Sequence, residues 1–171
     1  MRAMLLLLAA GCSASPVAER DSRDKPKGPV LLFFVGTECP VSNFYAPEME
    51  RLAGSGARAE LVYSEPGVTE EGASRHAAEY RLTAARSPDP DLSIAARYGV
   101  TRIPTAVLLH RGEIVYRGRI DDRYTPEGKR RADVRSRDLE AAIGAVLSGR
   151  KPELSETPVF GCPLALKKAS K

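Results

Sequence analysis

The sequence predicts a single α/β domain whose central sheet contains both parallel and antiparallel strands and is flanked by helices. A strand, helix, strand order near the start implies a right-handed parallel crossover. Two later strands joined by a two-residue turn imply an antiparallel hairpin in the same sheet. The chain has 171 residues, 43% of them apolar and 28% charged, which fits one such domain with some sequence outside it.

The parallel half begins with the apolar run Val30–Val35, as expected for a central strand buried on both faces. A helix follows, because Cys39 takes the N-cap position, Pro40 suits the first helical position and Gly54 ends the apolar pattern. Residues 59–63 form the second strand. The helix residues predicted to face the core are Val41, Tyr45, Met49 and Leu52.

The remaining elements are predicted from caps, turns and periodicity. They are a weak helix over 69–82 capped by Thr69, an ambiguous Pro-rich stretch over 84–91, a short helix over 92–98, strands over 105–110 and 113–117 joined across Arg111 and Gly112, and a last helix that begins at Ser136 and ends before Gly149. We expect that last helix to bury Leu139, Ile143, Val146 and Leu147.

The N-terminus resembles the signal of bacterial lipoproteins. Residues 1–12 combine a basic start with a short apolar run that closes on small residues, which is the order of a secretory signal. Their end, Ala9–Cys12, resembles a lipobox, which implies a lipid on Cys12 and an anchor at the extracytoplasmic face of the membrane, in the periplasm or cell envelope. The alternative is an uncleaved apolar tail or a misplaced start codon. The predicted organisation is a signal over 1–12, a tether over 13–28, a domain over 29–149 and a tail over 150–171.

Three cysteines are an odd number for an exported protein. If Cys12 carries lipid, Cys39 and Cys162 remain and are able to pair. Cys39 lies where a helix begins, and the positive end of the helix dipole favours its thiolate. The sequence therefore predicts that Cys39 is a nucleophile, against the alternative of an inert buried cysteine.

Two segments resemble the thioredoxin superfamily, in particular its extracytoplasmic redoxin-domain members. Phe33–Pro47 contains a strand, a turn, a cysteine and a helix with an internal Ala-Pro, and Tyr98–Thr105 ends in Ile-Pro-Thr before an apolar strand. The resemblance covers about residues 28–150 and implies a thioredoxin-like fold, with Pro104 in cis and facing Cys39. The candidate catalytic residues are Cys39, Cys162, Pro104, Thr37 and Ser42, and the candidate substrate-binding residues are Pro40, Arg102 and Ile103.

The chain departs from the family at two points. Ser42 stands where a dithiol thioredoxin has its second cysteine, so cycling within the motif is excluded. The buried acidic residue of thioredoxins is also missing, since the strand near Phe33 is apolar. Two mechanisms stay open: Cys162 in the tail resolves a mixed disulfide on Cys39, or Cys39 works alone with an external thiol as resolver.

Other functions are weighed against thiol-disulfide exchange. A peroxiredoxin-like peroxidase is the first alternative, although Thr37 lies two residues before Cys39 where that family has a threonine three before; Arg102 and Arg119 are the candidate charges. The second alternative is a lipoprotein that binds a partner without catalysis. Copper delivery in such folds needs two cysteines near the first motif, and here there is one.

The loop over 119–137 is either a solvated connection or a docking loop, and Asp121 and Asp122 are rejected as a metal site because no histidine or third carboxylate lies at ligand spacing. A general-base role for His76 or His110 stays open. No cofactor is implied, and the net charge of +4 is scattered, which gives no support to nucleic-acid binding. The expected partners are protein or small-molecule thiols and disulfides and a reductant.

Overall fold

The computed structural model describes residues 28–166. The predictions for the signal, for lipidation at Cys12 and for most of the tether fall on residues outside this range. Among the described residues, no helix is long and apolar enough to cross a membrane.

Five strands form one mixed sheet in the order β3-β2-β1-β5-β6, and two short strands, β4 and β7, pair separately. Strands β1, β2 and β3 are parallel, whereas β5 pairs antiparallel with both β1 and β6. The predicted mixed sheet is therefore confirmed. The elements are β1 Val30–Val35, α1 Pro40–Ala53, β2 Arg58–Tyr63, α2 Glu70–Glu79, β3 Ala85–Pro88, α3 Ser93–Arg97, β4 Arg102–Ile103, β5 Thr105–His110, β6 Glu113–Gly118, α4 Asp138–Leu147 and β7 Cys162–Pro163.

The strand β1 lies at the centre because its side chains are buried on both faces. Leu31 and Phe33 join a core cluster with residues of α1 and α4. Leu32 and Phe34 join a second cluster on the opposite face, which also contains Cys39. An uninterrupted apolar run is what a strand covered on both sides requires.

The hairpin between β5 and β6 has the predicted turn. Arg111 has a φ of 53° and Gly112 a φ of 82°. Positive φ at both central residues is the type I′ geometry, whose twist matches that of the flanking strands.

Two helix predictions need correction. Helix α2 ends at Glu79 and not at Leu82, because Arg81 adopts a left-handed φ of 57° that no helix continues through. Helix α4 begins after Arg137 and not at Ser136, whose hydroxyl instead donates to Asp138.

The predicted buried face of α4 is also partly wrong. Leu139, Ile143 and Val146 are buried, but Leu147 is 49% exposed. The helix turns Ala142 and Ala145 toward the core, and Leu147 lies one step of about 100° beyond Val146, outside that face.

The two short strands, β4 and β7, attach the C-terminal tail to the domain. The described part of the predicted tail, residues 150–166, returns along the sheet, and its β7 pairs antiparallel with β4, which immediately precedes Pro104. The Pro-rich stretch over 84–91 contains the edge strand β3.

Candidate active site at the start of helix α1

Cys39 lies at the N-cap of α1, where the chain leaves β1 through a short turn. Its Sγ accepts a hydrogen bond from the backbone N–H of Ser42 at 3.5 Å. The thiol also lies 3.7 Å from the carbonyl oxygen of Ile103, to which it donates. With 4% of its surface exposed, Cys39 is buried at the N-terminus of α1, where backbone N–H groups and the helix dipole favour negative charge.

Ser42 and Gly36 brace this turn. The buried Ser42 hydroxyl accepts the N–H of Gly36 at 3.4 Å. A Cβ at Gly36 would lie 2.7 Å from Cδ1 of Ile103, so only glycine lets Ile103 pack this closely on the turn. Ser42 thus supports the backbone around Cys39, and Pro40 is exposed at the first helical position.

The hydroxyl of Thr37 is already hydrogen-bonded within the protein. Its N–H and Oγ1 both donate to the carboxylate of Glu65, at 2.9 and 2.5 Å. The two candidate arginines are engaged as well: Arg102 donates to the carbonyl oxygen of Gly161 at 2.9 Å, and Arg119 forms a 2.6 Å ion pair with Asp138. These contacts give no support to a peroxide site built from Thr37 and either arginine.

Pro104 and Ile103 form the opposite wall of the site. The Ile103–Pro104 peptide bond is cis, and both residues are buried. The carbonyl of Ile103 points at Cys39, so the backbone before Pro104 contacts the candidate nucleophile directly.

The structure brings Cys162 to the same helix N-terminus. In the pairing of β4 with β7, Cys162 stands opposite Ile103, and its thiol hydrogen-bonds with Cys39 and accepts the N–H of Val41. Both cysteines are free thiols. Burial, the hydrogen bond to Cys39 and the charge on that neighbour raise the pKa of Cys162 to about 11. Pro40 has no N–H, so the first backbone N–H groups that α1 offers are those of Val41 and Ser42. The N–H of Val41 goes to Cys162 and the N–H of Ser42 goes to Cys39.

Close backbone contacts hold Cys162 in place. A Cβ at Gly161 would lie 2.1 Å from the carbonyl oxygen of Ile103, so a glycine is required where the tail crosses the strand. On the other side of Cys162, the N–H of Leu164 donates to Thr101 at 2.9 Å. Arg102 adds the bond to Gly161 described above.

Thr157 anchors the tail further upstream. It is buried, its hydroxyl hydrogen-bonds with the hydroxyl of Tyr116 at 2.8 Å, and it accepts the N–H of Arg119 at 3.1 Å. Its own N–H donates to the carbonyl of Arg117 at 3.1 Å. The segment is thus fixed to β6 before it reaches β4.

A partly buried hydrogen-bond chain supports the turn from the other side. The hydroxyl of Tyr63 lies 3.0 Å from Nδ1 of His76, and Nε2 of His76 lies 2.9 Å from Oδ1 of Asn43. The amide of Asn43 in turn donates to the carbonyl of Thr37 at 3.2 Å. Burial lowers the pKa of His76, so the ring is neutral at pH 7 and links α2 to the turn before Cys39.

Strand β5 begins at Thr105, directly after Pro104, and ends at His110, which lies about 17 Å along the strand from Thr105 at about 3.3 Å per residue. This placement separates it from Cys39. His76 contacts Asn43 and Tyr63; neither histidine is placed as a base on the Cys39 sulfur.

The loop over 119–137 uses its carboxylates internally. Asp121 hydrogen-bonds with the Tyr45 hydroxyl and the N–H of Arg123, and Asp122 accepts the N–H groups of Arg135 and Ser136. Between residues 28 and 166 there is no group of three or more His, Cys, Asp or Glu side chains able to hold a metal ion.

Sequence reasoning missed four residues that support this site. Asn43 and His76 have no local signal, since a hydrogen-bond chain between distant residues depends on the assembled fold. No sequence pattern predicts the role of Thr157 either. Gly161 does carry a signal, because a glycine directly before a candidate resolving cysteine is typical of a close backbone approach.

Comparisons with known proteins bear on the fold. No protein-family model and no curated protein matches the chain. Among solved structures, it is similar to a hypothetical protein from Sinorhizobium meliloti, with a TM-score of 0.71 and 26% identity over 85% of this chain and 83% of that one. An uncharacterized conserved protein from Geobacillus kaustophilus matches with a TM-score of 0.70 and 23% identity over 85% and 81%.

A thioredoxin-like protein solved in its oxidized form matches with a TM-score of 0.55 and 14% identity, over 73% of this chain and 81% of that one. The chain has a thioredoxin-like fold, and the predicted resemblance to the thioredoxin superfamily is confirmed at the level of the fold.

Proposed function

We propose that the protein is a thiol-disulfide oxidoreductase in which Cys39 is the nucleophile and Cys162 the resolving thiol. The observation that carries the proposal is the meeting of the two free thiols at the N-terminus of α1. One sulfur receives the N–H of Ser42 and the other the N–H of Val41. Thiolate attack needs backbone donors that can stabilise a sulfur anion and a second sulfur within reach. The N–H of Ser42 beside Cys39 and the position of Cys162 opposite Ile103 support this proposal.

The first step is an attack by the Cys39 thiolate on one sulfur of a substrate disulfide. A bond forms between Cys39 and that sulfur, the substrate S–S bond breaks, and the other half leaves as a thiolate that takes up a proton. The amide of Ser42 and the dipole of α1 stabilise the attacking sulfur.

In the second step, Cys162 loses its proton and attacks Sγ of Cys39. The Cys39–Cys162 disulfide forms and the second half of the substrate leaves as a thiol. Two electrons and two protons thus pass from the protein to the substrate, and the reverse of the same steps oxidises a dithiol. The high pKa of Cys162 keeps it protonated until Cys39 has reacted, so that Cys39 attacks first.

Intact-mass spectrometry with bis(2-hydroxyethyl) disulfide tests this assignment, in chains carrying Cys12→Ser so that two thiols remain. The reduced protein should end two hydrogens lighter, with both halves of the reagent released. Cys162→Ser should stop as a stable mixed disulfide on Cys39, and Cys39→Ser should react at least tenfold more slowly.

The test separates the other mechanisms. External thiol alone could release the mixed disulfide from the Cys162→Ser chain as fast as from the chain that keeps Cys162. That result would favour a Cys39 that works without Cys162. An unreactive Cys39 in every chain would contradict the oxidoreductase and favour a binding lipoprotein.

We place this activity at the extracytoplasmic face of the membrane, held by a lipid on Cys12. The apolar run and the Ala9–Cys12 sequence support that location. Mass spectrometry of the N-terminal peptide from membranes tests it: a lipid-modified Cys12 is expected, and an unprocessed Met1 would contradict it.

A further inference from the structure

The strand β4, next to the candidate nucleophile, has its backbone hydrogen bonds occupied by the protein's own tail. Arg102 pairs with Pro163 and Ile103 with Cys162 in antiparallel register. The N–H of Leu164 extends this pairing to Thr101. An extended polypeptide that docks on a sheet edge uses the same backbone groups. The edge beside Cys39 is thus already filled.

The tail lies there in the manner of a bound peptide. Its residues alternate, with Cys162, Leu164 and Leu166 packed against the apolar cluster around Ile103 and with Pro163 and Ala165 exposed. This alternation is the period of two expected for an extended segment on a surface. The side chain inserted at the nucleophile is itself a thiol, in hydrogen-bond contact with Cys39.

A compact disulfide and a polypeptide disulfide make different demands on this site. The compact reagent needs one sulfur to approach Cys39. A polypeptide in extended conformation also needs the β4 edge, and it has to displace residues 161–164 with the bonds of Arg102 and Leu164. Displacing them also removes Cys162 from Cys39, so that the second step loses its resolving thiol.

From this geometry we propose that the segment Gly161–Leu164 excludes extended polypeptides and restricts the substrates of Cys39 to compact, small-molecule disulfides. The proposal rests on the oxidoreductase function proposed above and names its substrate class. Gly161 is the specificity-determining residue, because any side chain there meets the carbonyl of Ile103.

The test compares two disulfides in chains that carry Cys12→Ser and Cys162→Ser, so that only the first step is measured. One reagent is bis(2-hydroxyethyl) disulfide. The other is an extended ten-residue peptide whose single cysteine carries a thionitrobenzoate group, which releases a coloured thiolate. Gly161→Val is added to displace the tail, and Leu164→Pro, which removes the N–H donated to Thr101, displaces it by a second route.

Adding Gly161→Val or Leu164→Pro should raise the peptide rate at least tenfold more than it raises the small-disulfide rate, because displacing the tail uncovers the buried Cys39 for both reagents but frees the β4 edge for the peptide alone. A matched control, Gly144→Ala at an open helix position, should change neither. Equal factors for both reagents, or a peptide rate that neither tail variant raises, would overturn the proposal. If Cys39 reacts with neither reagent in any chain, the oxidoreductase function itself has failed.

Discussion

Cys39 and Cys162 meet at one helix N-terminus, but different kinds of structure hold them there. Cys39 follows a central strand buried on both faces and begins a 14-residue helix. Cys162 lies on a two-residue strand paired with another two-residue strand. The first is fixed by the core, and the second by a few backbone bonds and close contacts.

This difference bears on the chemistry. Regions with few buried contacts open locally at a lower free energy than the core. We therefore expect that the tail opens at a lower free-energy cost than β1 and α1. A resolving thiol has to make such a movement to exchange partners, whereas the nucleophile needs a constant environment for its thiolate.

Phe33→Ala in the core should have the largest effect on stability. Phe33 is 1% exposed at the centre of β1, and such a truncation costs about 3–5 kcal/mol. Urea unfolding followed by circular dichroism measures it. A loss below about 1 kcal/mol would contradict the role of β1 as the central support.

Thr157→Val, at the upstream anchor of the tail, should cost about 1–3 kcal/mol, because the N–H of Arg119 loses its acceptor inside the protein. The same unfolding experiment measures this loss. Ser148→Ala serves as the control, because the exposed Ser148 hydroxyl donates to the carbonyl of Gly144, one helical turn away and outside the tail. Equal losses in the two variants would remove Thr157 as an anchor.

Gly161→Ala should affect the placement of the tail without altering the core. Formation of the Cys39–Cys162 disulfide should slow about tenfold or more, since the new Cβ displaces the tail; tenfold corresponds to about 1.4 kcal/mol. Rates come from quenched alkylation and mass spectrometry. Gly144→Ala, the matched control, should leave the rate unchanged and gain about 0.5–1 kcal/mol of stability. A rate for Gly161→Ala equal to that of the control would contradict the close approach.

The smallest effect concerns the ionisation of Cys162. Cys39→Ala removes the hydrogen bond and the neighbouring charge that help raise the pKa of Cys162 to about 11, and leaves burial. The pKa should fall, so thiolate should form at lower pH. Ultraviolet absorbance of the thiolate against pH, in chains with Cys12→Ser, measures the shift. A pKa unchanged by Cys39→Ala would show that the two sulfurs do not interact.

The same comparison explains what could be predicted. Val30–Val35 and the N-cap at Cys39 were predictable because apolar runs, caps and helix periods are local signals. The pairing of Ile103 with Cys162 joins distant residues through two-residue strands, which have no periodic pattern. For the same reason, the sequence left open whether Cys162 reaches Cys39, and it contained no signal for the chain from Tyr63 through His76 to Asn43.

Non-reducing peptide mapping of the full-length protein after mild oxidation tests the central claim most directly. The account predicts one linked peptide pair that joins Cys39 to Cys162 within a single chain and disappears on reduction. A Cys39 linked to glutathione or to a second chain, with Cys162 left as a free thiol, would contradict it.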